Sequence, residues 1–414
     1  MRTNDRTTGG SNSSRRRFLR AVGAAGLGTA VAGCLGGGGG PYEIGMVDAL
    51  SGSLSPYGDR NQRGVDFALE DVNAVGIGED ERELDITVED SESSEGPGVS
   101  SAQKLVNQDG APLLIGAVSS GVSTAIYDSV TEAADVLQIS QNSTSPRLSD
   151  RPDLMRMSPS GQTKGTALAN LLSDDGQNSV AVTFVNNDYG QGLSEVFEQE
   201  FDGEVPYNQP HDQGKGSYSG EVSEMHDAGA DAWLFITYAE EFTVMINEAY
   251  EQGLTEQYDL YGAESTIADE ILQNTPEGSH DGMTGITESA PVDQQNYQDF
   301  KSRFEDEHGE APTVWSAYAY DAVVVSALSI HLADEFEGPA LKEVVRDLTR
   351  PEGTKVMTFE EAVNEVDPGG DPSAINYEGV SGPIDLDENG DPKGFYQIYH
   401  VEDHSYEFGD FITG

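Results

Sequence analysis

The chain has 414 residues, 74 Asp and Glu against 22 Lys and Arg, a formal net charge of −52 and 36% hydrophobic residues. That is enough apolar material for a packed fold, over a length that points to two domains. The charge excludes nucleic acid and anionic membrane surfaces as partners, and the single cysteine, Cys34, excludes a disulfide framework or a multi-thiolate metal site.

The first segment reads as an address. Ser14-Arg15-Arg16-Arg17-Phe18-Leu19-Arg20 precedes a small-residue apolar stretch from Ala21 to Ala32. A cationic start before a short apolar run predicts an export signal, and the paired arginines point to the twin-arginine route. About a dozen apolar residues are too few for a bilayer span, which takes roughly 20. Val31-Ala32-Gly33-Cys34 resembles a lipobox, whose cysteine becomes the lipidated first residue, and Gly36 to Gly40 suit a flexible tether. Residues 1–33 are therefore expected to be a signal peptide and 34–41 a tether to a membrane anchor. Removing residues 1–33 takes away six arginines and one aspartate, leaving a body more acidic than the precursor. Its acids are scattered through periodic segments and lysines number seven, a balance that predicts a globule adapted to strong brine, where salt screens self-repulsion.

After the glycines, strand and helix patterns alternate. Strands are expected at 42–47, 84–89, 112–118 and 136–140, and helices at 59–75, 99–108 and 122–134. A second series has helices at 163–172, 192–201, 220–228 and 241–252, and strands at 179–185, 204–207, 232–237 and 258–261. Helices at 294–308, 317–332 and 339–348 and closing strands within 377–401 follow. Two such series predict an α/β fold of two doubly wound, parallel-sheet lobes.

Ligands of open parallel sheets bind beyond the carboxyl ends of the strands. In the first series those ends carry Leu50 to Gly58 with Tyr57, then Ser119-Ser120-Gly121, then Ser140-Gln141-Asn142-Ser143-Thr144. In the second they carry Asn187-Asp188-Tyr189-Gly190, Thr237-Tyr238 and Gly262-Ala263-Glu264. Hydroxyls and amides on one rim, with tyrosines and a carboxylate on the other, suit a small zwitterion. Neutral donors take its carboxylate and Glu264 its ammonium. Helix capping accounts for about half of the Ser and Thr residues, but not for Tyr57, Tyr189, Tyr238 and Glu264 at equivalent junctions.

These same segments resemble the periplasmic substrate-binding proteins for leucine, isoleucine and valine. The likeness rests on Leu50-Ser51-Gly52 through Asp59 with Gly64, Ile115-Gly116 with Ser119-Ser120, and Ile139-Ser140 with Thr144-Ser145-Pro146. Asp188 to Gly192, Tyr238, Glu264 and the stretch Gly382 to Phe395 continue it in order. The resemblance implies that Ser120 and Thr144 hold the ligand's α-carboxylate and α-ammonium with help from backbone at Asn142. Glu264 would then be the anionic partner of the ammonium, and Tyr57, Tyr189 and Tyr238 the walls. Ser119 stands where that family has one half of a disulfide, which is absent here. It further implies a type I periplasmic binding protein of two lobes, 42–158 with 288–378 and 159–287 with 379–414. Three hinge crossovers would join them near 157–160, 285–288 and 375–382.

The expected function is capture of an amino acid, branched-chain or apolar, by hinge closure and its delivery to an ABC permease. Neither enzymatic chemistry nor a cofactor or metal is expected, and the protein is expected to be monomeric. Presentation to a chemotaxis transducer, or binding of an amide, urea or aromatic acid, is the alternative. Asp385-Leu386-Asp387-Glu388-Asn389-Gly390 copies half of a calcium loop but has Tyr396 where the bidentate Glu belongs. Gly121 to Ala125 lacks the last glycine of a nucleophile elbow. His400 and His404 are expected at the surface, and the sequon at Asn142 is expected to stay bare.

Overall fold

The computed structural model describes residues 39–413, so the export signal, Cys34 and the glycines up to Gly38 lie outside the described residues. From there the chain forms β1 (Tyr42–Asp48), α1 (Ser55–Val75), β2 (Leu84–Asp90), α2 (Glu95–Asn107), β3 (Leu113–Gly116) and α3 (Ser120–Ile126). A widened turn leads into α4 (Glu132–Ala134), then β4 (Leu137–Ser140) and β5 (Leu154–Arg156). The five strands form a parallel sheet of order β2-β1-β3-β4-β5. β3 and β4 are buried at every position, as strands sandwiched between helix layers must be.

A second sheet begins after α5 (Gly161–Asp174). It is built from β6 (Ser179–Val185), α6 (Asp188–Glu200), β7 (Glu204–His211), α7 (Ser219–Asp227), β8 (Ala232–Ile236), α8 (Ala239–Glu251), β9 (Asp259–Gly262), α9 (Asp269–Asn274) and β10 (Thr284–Ser289). The chain then makes α10 (Gln295–His308), α11 (Val314–Leu332), α12 (Gly338–Val344), β11 (Thr354–Val356), α13 (Phe359–Glu365), β12 (Ile375–Gly379) and β13 (Gly382–Pro383). The last three strands named form a small sheet of their own. β14 (Phe395–Glu402) and β15 (Ser405–Thr413) return to the second sheet, whose order is β15-β14-β10-β9-β8-β6-β7.

The fold is the expected α/β type with two doubly wound sheets, with one departure. β14 and β15 run antiparallel to their neighbours. A strand arriving without a crossover helix can join an edge only this way, and Asp403 and His404, both at positive φ, make the tight hairpin turn that joins the pair. The crossing expected at 285–288 is displaced as well. All four lie inside β10 and pair with β14, Gly285 pairing with β9 as well, and the strand runs on to Ser289. The crossing expected at 375–382 comprises β12 and the start of β13.

The first core centres on α11, buried at every residue from Trp315 to Leu332, as a helix apolar on all sides must be. It lies against α1 so closely that a Cβ on Gly64 would fall 2.1 Å from the carbonyl oxygen of Ser316, which leaves room for glycine alone. Buried Asp321 on α11 accepts hydrogen bonds from the Tyr377 hydroxyl at 2.8 Å and from the backbone of Val380 at 3.0 Å and Ser381 at 2.8 Å. Those bonds tie the small sheet to the central helix.

Candidate functional site

The carboxyl ends of both sheets face one small cavity. Tyr57, Ser119, Ser120, Asn142, Thr144, Tyr189, Tyr238 and Glu264 all line it, joined by Leu54, Val118, Ser265 and Trp315. The eight residues singled out from the sequence, far apart along the chain, are thus brought together.

On the side of the first sheet, Ser119 stands at the N-terminus of α3 without making a capping bond, so helix capping does not occupy its hydroxyl. Ser120 Oγ accepts the Ser145 N–H at 3.1 Å and braces the loop that carries Thr144. Asn142 is oriented from behind. The Asp48 carboxylate accepts from Ala49 N at 2.9 Å, Asn61 Nδ2 at 3.2 Å and Gln62 Nε2 at 2.8 Å. Asn61 Nδ2 also donates to Asn142 Oδ1 at 2.8 Å, which leaves the buried Asn142 Nδ2 with no partner in the protein. A buried amide N–H2 without an acceptor costs free energy, so the cavity holds a donor ready for an anionic group.

On the side of the second sheet, Tyr189 and Tyr238 stack with centroids 5.6 Å apart and planes 11° from parallel. The Tyr189 hydroxyl meets Ser265 Oγ at 2.8 Å. Ser265 donates to the Thr237 carbonyl at 2.8 Å, so Tyr189 is the donor to Ser265. Tyr238 Oη accepts Asn187 Nδ2 at 3.0 Å. Burial pushes the Tyr238 phenol up to about 12, and it remains neutral. Tyr57 meets Trp315 edge-on at 5.5 Å and completes the apolar wall. Asn187 caps α6 through Gly190 N at 3.1 Å. A Cβ on Gly190 would lie 2.2 Å from the Val185 carbonyl oxygen, so the strand-to-helix turn that sets Tyr189 needs glycine there.

Glu264 is not the lone anion anticipated from the sequence. Lys164 Nζ lies 2.6 Å from Glu264 Oε2 and 2.7 Å from Glu288 Oε1, with the Lys164 and Glu288 side chains fully buried. Sequence reasoning missed Lys164 and Glu288, along with the Asp48–Asn61 brace, Ser265 and Trp315. A signal for Lys164 was present. It shares the i, i+4 stripe of α5 with buried Leu168 and Leu172, where a lysine is anomalous.

The motifs set aside are occupied structurally. Ser123 Oγ accepts Ala117 N at 2.7 Å beneath β3 and offers no nucleophile. In the calcium-like loop Asp385 pairs with Lys393 at 2.8 Å and Asp391 with Arg156 at 2.6 Å. His400 bonds Thr284 on the neighbouring strand at 3.0 Å, and His404 donates to the Leu272 carbonyl at 2.6 Å.

Two helix-covered sheets meeting at a cavity lined by neutral donors, aromatic rings and an acidic cluster define a solute-binding protein. The family model described as "Periplasmic binding protein" matches residues 41–363. The chain belongs to that family, whose members bind solutes and are not enzymes. Among its relatives, the leucine-specific-binding protein of Salmonella typhimurium is 24% identical over 363 residues, covering 85% of this chain and 88% of that protein. The chemotactic signal transduction system substrate-binding protein BasB of Halobacterium salinarum is 24% identical over 377 residues, covering 88% and 87%. The fold is similar to that of the leucine-binding protein LivK of Thermotoga maritima, with a TM-score of 0.77 at 22% identity over 90% of this chain and 98% of that one. It is similar too to LivJ of Streptococcus pneumoniae in complex with isoleucine, with a TM-score of 0.75 at 20% identity over 90% and 100%.

Proposed function

We propose that this protein captures a free amino acid with an apolar side chain between its two sheets and delivers it to an ABC permease. One observation carries the reading: a single cavity is lined by the unpartnered neutral donor Asn142 Nδ2 and serine and threonine hydroxyls, by an acidic cluster and by aromatic rings. An α-amino acid presents a carboxylate, an ammonium and an apolar body in that arrangement. Ser119, Ser120, Asn142 and Thr144 serve the carboxylate end, Glu264 the ammonium, and Tyr57, Tyr189, Tyr238 and Trp315 the side chain. The names of the relatives, leucine-specific among them, support the same ligand class.

A ligand touching both sheets favours the closed arrangement by its differential affinity for it. In this reading lobe 1 is 42–158 with 288–378 and lobe 2 is 159–287 with 379–414. The N-terminal address supports twin-arginine export and lipid attachment at Cys34, and the charge supports life in brine, with the protein acting as a monomer outside the cell. The likeness to BasB supports a second reading, presentation of the same ligand to a chemotaxis transducer. Co-purification with permease or with transducer separates the two.

Thermal unfolding of the protein in multimolar potassium chloride with each of the twenty amino acids tests the ligand class. Leucine, isoleucine or valine at a hundredfold excess over its dissociation constant should stabilise the fold by about 2.7 kcal/mol. Calorimetry showing no uptake of any amino acid overturns the proposal.

A further inference from the structure

Lys164 balances one of the two carboxylates it touches, so the cluster of Lys164, Glu264 and Glu288 holds one negative charge more than positive. Its members are almost entirely withdrawn from water, the side chains being 0%, 5% and 0% exposed. A net charge in such a place is costly until a proton or a further cation compensates it. Among the described residues no second cation forms an ion pair with Glu264 or Glu288; Arg60 and Lys301 line a wider neighbouring cleft that both carboxylates also reach, yet neither stands within ion-pair distance of them. Glu264 lines both the cavity and that cleft, whereas Glu288 lines the cleft alone.

We propose that the ligand's ammonium is held by Lys164, Glu264 and Glu288 as one unit, in which Glu288, set back from the cavity on the side of the adjoining cleft, supplies the charge that Lys164 has neutralised on Glu264. This rests on the amino-acid reading of the site and names two specificity-determining residues beyond it. Lys164 sets the cluster one charge short of neutral, which matches a monocation and leaves no vacancy for a second cationic group. Glu288 makes the ammonium worth binding, so the site discriminates an amino acid from the corresponding acid without an amino group.

The cluster also exchanges a proton for the ligand. Burial and the neighbouring Glu264 push the Glu288 carboxyl up to about 7, against the pull of Lys164. The other groups that face it are the neutral phenols Tyr57 from α1, Tyr189 from α6, Tyr318 from α11 and Tyr396 from β14, with Arg60 from α1 and Lys301 from α10 lining the same cleft outside ion-pair distance. Below that value the empty site carries a proton that the ammonium must displace; above it the site is already bare. Affinity therefore rises with pH, by up to about tenfold from one unit below to one unit above.

The test is calorimetry in multimolar potassium chloride with L-leucine and with 4-methylpentanoate, the same skeleton lacking the amino group. It is run in two buffers of different ionisation enthalpy and across the neutral pH range. The wild type should bind leucine with release of a fraction of a proton. Glu288→Gln should weaken leucine binding by about tenfold or more, leave 4-methylpentanoate within about threefold, and abolish both proton release and the pH slope. Lys164→Met with Glu288→Gln leaves Glu264 as the single charge and should restore the preference for leucine; it carries the same comparison should the single variant fail to fold. Leucine binding by Glu288→Gln with wild-type affinity and pH slope overturns the cluster while leaving the amino-acid reading intact. A double variant with no preference for leucine over 4-methylpentanoate overturns it as well. A wild type that takes up no amino acid overturns both.

Discussion

Asn142 shows how neighbours orient a side chain that lines the cavity. Its amide is turned by Asn61, itself held by Asp48, so the N–H2 rather than the carbonyl is left for the cavity. Asn142→Ala should weaken leucine binding by about 1.5–3 kcal/mol, read by calorimetry, while Asn61→Ala should weaken it by less because it frees the amide to rotate. His211 illustrates the opposite case, a polar group fully occupied by the fold. Its imidazole sits between Thr183 Oγ1 and Thr237 Oγ1, 2.9 Å from each, and burial pushes it down to about 4. Because the folded value lies below the unfolded 6.5, the unfolded chain takes the proton first and stability falls as pH drops through that window. The slope is at most one proton, about 1.4 kcal/mol per pH unit. His211→Gln should remove that contribution, seen as a flatter plot of melting temperature against pH between those two values.

At the scale of elements, the close approach of α1 and α11 is set by glycine at position 64. Adding a methyl group there meets backbone, which cannot step aside as a side chain would. Gly64→Ala should therefore destabilise by roughly 1–3 kcal/mol in denaturant titrations, despite alanine's better helix propensity. Position 64 was legible in the sequence only as part of a motif; its steric reason required the partner helix. The long parallel elements were the most readable, because strands buried on both faces and helices with one apolar stripe each leave a distinct period. The strand expected at 179–185 coincides with β6. What escaped was short or borrowed. β5 and β11 have three residues each, too few for a period. β10 gains its place from pairing with β14, more than a hundred residues further on. The site residues were legible because they follow strand ends. Lys164 and Glu288 were not, since each acts through a contact between distant segments.

For the whole molecule the dominant quantity is the charge of −52. Most of its ion pairs have at least one partly exposed partner, and such pairs contribute about 0–1 kcal/mol, too little to offset mutual repulsion when the screening length exceeds their spacing. Raising potassium chloride from about 0.1 M to about 1 M shortens that length from about 10 Å to about 3 Å. The melting temperature should rise by on the order of 10 °C over this range, and a flat response would sink the brine reading. The return of residues 391–413 to both sheets carries a consequence for the order of folding. Arg156, wholly buried at the end of β5, finds its carboxylate only at Asp391, and the second sheet lacks two strands until β14 and β15 have been made. Neither half can settle into its final form until Asp391 and the β14–β15 hairpin are in place, so both complete their packing together.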